Sequence, residues 1–444
     1  MKKQLIAFSV LCLLACPNVL HADEPELLTP EKSKPLLPEV KKESLTFSSD
    51  DNNFKISFAG RIQADGMMFW GEDYQPIGNG VGFRRVRLAS NVSFGKRITG
   101  RIEMDLTDGA FSLKDCFIGY QFNNGLLLRA GNFKESFSMD AMTSSGDLMF
   151  MEKANMSSAF NPEFHMGVQA SWQRNQFWGA AGVHFRAING SKEKDYAESN
   201  NKDGVDEGIS YTARGVWMPQ SDDKQRGFHL GVAASYRTPK TSAGTKSPNT
   251  TRFSSNSLSR INKIKFLDTG PITSVSHDWL AGVELAGFYK ALRMQGEFVM
   301  NNTNRMEGLA TERFNGWYVQ AGYLLFGGQQ RYSKSRAAFT EPSFGRGWGD
   351  VEVAARFDRI DLNGTAINGG TSNSWTLGAT YYITRNLKLQ LNYSYVNHDK
   401  YANAYGSAAV GNNANGEVAY KPEDVVGKGG NDYSQLGVRV QLNF

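Results

Sequence analysis

Arg61, Arg85, Arg87, Arg101 and Arg129 lie close together in the chain, each at a polar position of a segment in which every second residue is apolar. Residues that alternate in this way share one face of a strand, so the five guanidinium groups are expected on the same side of neighbouring strands. A planar guanidinium donates two parallel hydrogen bonds to an oxyanion. Lys134 and Lys153, in the non-periodic stretch that follows, could bring ammonium groups to face it. Such a wall replaces part of an anion's hydration, and a pore lined by it works if it also releases the ion. The same face carries Asp65, Glu103, Asp105 and Asp115. If these carboxylates pair with the arginines, the surface is charge-balanced and has little preference for either sign.

Catalytic chemistry has weaker support. His165, His184 and His229 all take the polar parity, so a base is available, but no serine, aspartate or second histidine near them completes a recognisable set. The Gly-x-Gly segments read as turns rather than phosphate cradles. No metal-ligand cluster and no cofactor motif is expected, and a formal charge of +5 does not argue for nucleic acid.

The elements that carry the charges are strands. From Phe54 the alternation sets Phe54, Ile56, Phe58 and Ile62 against Lys55, Ser57, Arg61 and Gln63; at the other end Leu436, Val438, Val440, Leu442 and Phe444 oppose Gln435, Arg439, Gln441 and Asn443. The pattern recurs near residues 85–94, 98–106, 115–122, 126–131, 164–173, 177–187, 210–217, 228–237, 279–289, 292–300, 317–325, 351–358, 375–383 and 387–396. The total is about sixteen, an even number as single-chain bacterial barrels show. Charge distribution decides between a barrel and a soluble sandwich. Arg129, Arg186, Arg214, Glu284, Arg293, Glu297, Glu352, Arg356, Asp358, Lys388 and Arg439 all take the polar parity. A lipid-facing Arg or Lys near the midplane costs about 2–4 kcal/mol, so a charge-free apolar face fits a transmembrane antiparallel β-barrel. Aromatics at strand ends, among them Phe69, Trp70, Trp172, Trp178, Trp217, Tyr381 and Tyr382, fit interfacial girdles. Long stretches at 133–163, 188–209, 238–278, 301–315, 326–349 and 398–433, with tight turns between them, predict long loops on one rim and short turns on the other.

Residues 1–22 read as a signal peptide, with Lys2 and Lys3 before an apolar run and Ala22 at the cleavage point; Leu13-Leu14-Ala15-Cys16 is an alternative lipidation box. Residues 23–53, rich in Pro, Lys, Glu and Ser, read as a flexible periplasmic segment, and residues 54–444 as the barrel.

Taken together, Arg61-Ile-Gln-Ala-Asp65, Phe83-Arg84-Arg85, Asp105-Leu106, Thr143-Ser144-Ser145, Gly316-Trp-Tyr-Val-Gln-Ala-Gly-Tyr323 and Val440-Gln-Leu-Asn-Phe444 resemble the phosphate-selective porin (porin O/P) family. The resemblance implies a sixteen-stranded trimeric outer-membrane channel, embedded in lipid and lipopolysaccharide, with an inward-folded third loop (133–163) and a basic lining that passes anions such as phosphate. It further implies that Arg84, Arg85, Asp105, Ser144 and Ser145 stand near the narrowest zone. Departures are visible. Ala141 and Met142 stand where family members carry a lysine, Met67 and Met68 stand near an expected arginine, and the acidic residue opening the fourth strand aligns with Lys114 or Asp115. The basic residues Lys240, Lys246, Arg252, Arg260, Lys263 and Lys265 are scattered rather than close-set. The expected function is passive diffusion of small hydrophilic, anionic solutes through an outer-membrane porin, with Arg84, Arg85, Arg61 and Lys134 setting selectivity. A general non-selective porin and a barrel enzyme are the alternatives.

Overall fold

The computed structural model describes residues 37–41, 44–107, 109, 111–185, 188, 207–239 and 249–444. The expected signal peptide, Cys16, Arg186, Lys240 and Lys246 lie outside the described residues. Sixteen antiparallel strands close on themselves. They are β1 (Phe54–Trp70), β2 (Gly80–Phe94), β3 (Ile98–Asp105), β4 (Ser112–Gln121), β5 (Leu126–Lys134), β6 (Phe164–Arg174), β7 (Phe177–His184), β8 (Ser210–Trp217), β9 (Arg226–Arg237), β10 (Val275–Tyr289), β11 (Leu292–Arg305), β12 (Glu312–Leu324), β13 (Asp350–Asn363), β14 (Asn368–Tyr382), β15 (Leu387–His398) and β16 (Tyr433–Asn443). Closure is made by β16 on β1, from Ser434 opposite Trp70 to Asn443 opposite Arg61. At its end the Gly60 amide donates to the Phe444 carbonyl at 2.6 Å. Inside the seam the Arg439 guanidinium donates to both Asp65 carboxylate oxygens at 2.6 Å.

Burial is inverted relative to a water-soluble sheet. Along β8, Ser210, Thr212, Arg214 and Val216 are buried and Tyr211, Ala213, Gly215 and Trp217 are exposed. The interior is polar and the exposed outer surface is a band of Leu, Val, Ile, Phe, Trp and Tyr, as lipid requires. Charges that do take the outward parity, such as Arg313, Arg359 and Asp361, sit near the rim of the long loops, where the cost falls to about 0–1 kcal/mol. Interior charges tie strands across an intervening neighbour: Arg214 of β8 to Glu284 of β10 at 2.8 and 2.7 Å, and Arg293 of β11 to Glu352 of β13 at 3.0 and 2.9 Å. No described helix is long and apolar enough to cross a membrane.

Three expectations need correction. Phe69, Trp178 and Tyr382 are buried and face inward, so they belong to the lumen rather than to a girdle. Residues 37–41 and 44–48, read as aperiodic, form two short strands, the second pairing with the start of β1 from Leu45 opposite Phe58 to Ser48 opposite Lys55. The stretch 326–349 joins β12 to β13 on the rim of tight turns, not on the rim of long loops. It forms a hairpin, Gln329–Ser333 with Ala338–Ser343, that turns into the barrel, so that Ala337, Ala338 and Phe339 are buried.

Candidate functional site

Two β-bulges place consecutive charged residues on the same side of the wall. Register along β1 and β2 passes from Gln63 opposite Arg85 to Ala64 opposite Phe83, leaving Arg84 as the extra residue. A bulge sets two residues against one and re-aims a side chain. Strict alternation would have sent one of Arg84 and Arg85 into lipid; both point inward, Arg84 onto Glu152 and Arg85 onto Gln63. On β4 the register passes from Ile102 opposite Cys116 to Met104 opposite Leu113. At this second bulge Asp115 accepts from Arg101 at 3.1 Å, while the Lys114 ammonium lies 5.7 Å from the Phe164 ring centroid.

The loop 135–163 folds into the barrel, with short helices α1 (Met139–Met142) and α2 (Asn155–Phe160). Its Phe137, Met139, Met149, Phe150, Met151, Met156 and Phe160 are buried, so they pin the loop to the wall as expected from their apolar, adaptable side chains. Met142 differs and lines the lumen. The wall accepts the loop at glycines. A Cβ on Gly316 would lie 2.8 Å from Met156, and one on Gly378 would lie 2.9 Å from Phe150. Cationic wall residues hold the loop's carbonyls: Arg356 donates to Glu152 O at 2.9 Å and Lys388 donates to Gly146 O at 2.6 Å. Arg61 donates to Ser145 Oγ at 2.8 Å and Ser144 Oγ at 3.3 Å. Lys134 donates to the Ala141 carbonyl at 2.9 Å, which brings an ammonium to the stretch where the family's lysine is missing.

Beside this loop is a cavity of about 400 Å³, towards the rim of tight turns. Of the residues singled out from sequence, Arg61, Arg87, Arg101, Asp115, Arg129, Lys134, Ser144 and Ser145 line it; Arg84, Arg85, Asp105 and Lys153 do not. Its cations are Arg61, Arg87, Arg101, Arg129, Lys134 and Arg336, and its carboxylates are Glu103 and Asp115. Arg87 pairs with Glu103 at 3.0 Å and Asp105 at 2.8 Å, and Arg101 pairs with Glu103 and Asp115. The charge-balanced reading therefore holds for this pair of arginines. Arg61, Arg129 and Lys134 make no ion pair among the described residues; Arg129 instead lies over Phe133, 4.6 Å from its centroid.

A second basic group surrounds Glu163, at the end of the loop. Glu163 is exposed, and although desolvation within the barrel works to raise its carboxyl, Lys153, Lys134, Arg260 and Lys114 hold it at about 2. Sequence reasoning did not assign Lys114, Arg260 or Arg336 to the site: Lys114 is turned inward by the β4 bulge, and Arg260 and Arg336 depend on long-range approaches. Arg260 arrives on the loop 249–274, which packs over α2 through Phe253 against Phe160 and through Ser255 on Asn155 at 2.8 Å. Arg336 arrives on the inward hairpin, 3.9 Å from Asp147. His398 was also missed. Its Nε2 meets Ser257 Oγ at 2.8 Å, but the pair is buried against Phe266 and Tyr433 and joins the loop 249–274 to the end of β15. Of the three expected histidines, His165 is tied to Glu135 and His229 to Glu284 and Tyr332, while buried His184 packs against Phe133 with neither ring nitrogen hydrogen-bonded among the described residues.

A closed sixteen-stranded barrel with a polar lumen, an apolar belt and a loop folded across the interior defines an outer-membrane porin. Residues 56–420 match the family described as phosphate-selective porin O and P, and the chain belongs to that family. An uncharacterised protein of Caulobacter vibrioides is 27% identical over 409 residues, covering 86% of this chain and 78% of that one. Among solved structures, OmpT of Vibrio cholerae in its trimer form superposes with a TM-score of 0.52 at 10% identity, covering 88% of this chain and 99% of that one. The anion-selective porin from Comamonas acidovorans gives a TM-score of 0.50 at 12% identity, covering 88% and 100%. At these identities the likeness is one of fold.

Proposed function

We propose that this porin is an anion-preferring diffusion channel, passing small oxyanions such as phosphate down their gradient and catalysing nothing. The carrying observation is the cavity lining, in which six cationic side chains face two carboxylates. Fixed charge on a narrow, low-dielectric wall raises the local concentration of ions of opposite sign. The basic group around Glu163 adds a second zone of the same sign. On this reading Arg61, Arg129 and Lys134, which make no ion pair among the described residues, set the preference. Arg85 adds to it, and Arg84 contributes less because its charge is matched. The phosphate selectivity that the family's name carries, with polyphosphate beside it, is the narrower form of the reading, and the fold shared with the anion-selective porin of Comamonas acidovorans supports the anionic form. The chain is further proposed to be exported by residues 1–22, to leave residues 23–53 in the periplasm, and to work as a homotrimer in lipid and lipopolysaccharide, as the trimeric Vibrio neighbour suggests.

The test is the zero-current potential of the purified protein in a planar bilayer under a potassium chloride gradient. A potential of the sign set by chloride is expected. A potential of the sign set by potassium, or none, overturns anion preference.

A further inference from the structure

Four arginines converge on one point of the inward loop. Arg84 donates to both Glu152 carboxylate oxygens, at 2.5 and 2.9 Å, in the forked geometry that guanidinium groups also use for phosphate. Arg439 reaches the same carboxylate at 3.1 Å from Nη2. Arg356 donates to the Glu152 main-chain carbonyl, and Arg439 Nη1 to that of Met151. Arg85, 6% exposed, lies beside them with Nη1 on Gln63 Oε1, and its buried Nε has no partner among the described residues. The buried Nε of Arg356 also lacks a hydrogen bond. Two other carboxylates are close, Asp65 engaged by Arg439 and Asp358 at 3.6 Å from Arg356. Clefts open on Glu152 from two sides, one of them lined also by Arg260 and Ser259. The side chain is therefore a carboxylate on a loop, set in a donor-rich cradle beside the lumen.

We propose that Glu152 is a built-in anion, occupying the place among Arg84, Arg85 and Arg439 that a permeating oxyanion would otherwise take. The cradle is filled from within, so anions pass beside it without being held. This rests on the anion-channel reading and deepens it: weak retention of phosphate is the expected consequence, assigned to one loop carboxylate rather than to a shortage of arginines. The electrostatics agree, since burial raises the Glu152 carboxyl but Arg84, Arg439 and Arg85 more than offset it and keep it well below the usual range.

The experiment removes the charge and measures inorganic phosphate directly. Phosphate binding to detergent-purified protein is followed by equilibrium dialysis, and block of chloride current by added phosphate is followed in bilayers. Glu152→Gln and Glu152→Ala are carried in parallel, so that misfolding of one leaves the other readable. Glu152→Asp keeps the charge as the control. Charge removal should tighten phosphate binding and lower the blocking concentration by about tenfold or more, one decade being what a single charge-assisted hydrogen bond can supply. Adding Arg84→Gln to Glu152→Gln should abolish the gain. Wild-type phosphate binding in both neutral variants overturns the proposal, as does a gain that survives loss of Arg84. The two readings fail separately: a chloride-blind zero-current potential sinks anion preference, whereas unchanged dialysis sinks the role of Glu152.

Discussion

Replacing Arg129 with glutamate isolates the contribution of one uncompensated lumen charge. Arg129 lines the cavity and lies over Phe117 and Phe133 without an ion pair among the described residues, so no carboxylate is bonded to it and its charge faces the lumen. A cavity of about 400 Å³, treated as a sphere, has a radius of about 4.6 Å, which sets the guanidinium about 6 Å from an ion at its centre. In a water-like dielectric one charge at that distance is worth about 0.7 kcal/mol, and reversing its sign about 1.4 kcal/mol. Chloride loses about that much and potassium gains it, so the chloride to potassium permeability ratio should fall about a hundredfold. The assay is the zero-current potential in a potassium chloride gradient, repeated at high salt, where screening should shrink the difference. A folded Arg129→Glu channel with the wild-type potential would refute the reasoning, because the cavity would then lie off the permeation route.

Three more expectations follow from the geometry. Asp65→Asn leaves the fully buried Arg439 guanidinium without its main carboxylate at the closing seam; breaking a buried pair from one side costs about 3–5 kcal/mol, so the urea unfolding midpoint should fall, and an unchanged midpoint contradicts the seam's role. Gly378→Leu drives a side chain into Phe150, so the loop should lift from the wall, raising single-channel conductance and weakening ion discrimination. Glu163 should stay ionised through mild acid: a lowered carboxyl contributes its full stability above its ordinary value of about 4.3, and this is lost progressively as pH falls from there through about 2. A step in the zero-current potential near pH 4 that Glu163→Gln removes would contradict this.

The reach of sequence reasoning followed the lipid. All sixteen strands were legible from alternation because a membrane-facing residue must be apolar and its neighbour in the lumen need not be. The same logic failed at the outer ends of the tall strands. β11 runs on through Asn301, Asn302 and Thr303, and β14 begins at Asn368, because the hydrogen-bond ladder continues above the bilayer where neither face has to be apolar. The bulges were equally silent, since one extra residue leaves no mark on a pattern read by parity. Phe69, Trp178 and Tyr382 misled because aromatics suit a lumen packed with loops as well as an interface.

The sequence by itself determined the barrel, the side of the wall on which the charges away from the two bulges stand and the supply of basic residues for the lumen, because these depend on local alternation and on what lipid excludes. Only the tertiary structure decided which charges remain unpaired. Arg84 is matched by Glu152 from a loop 68 residues away, Arg439 by Asp65 across the closing seam, and Arg336 reaches the lumen from the opposite rim. Net charge at a point in space is a sum over neighbours that the chain brings together from afar, and no local pattern encodes that sum.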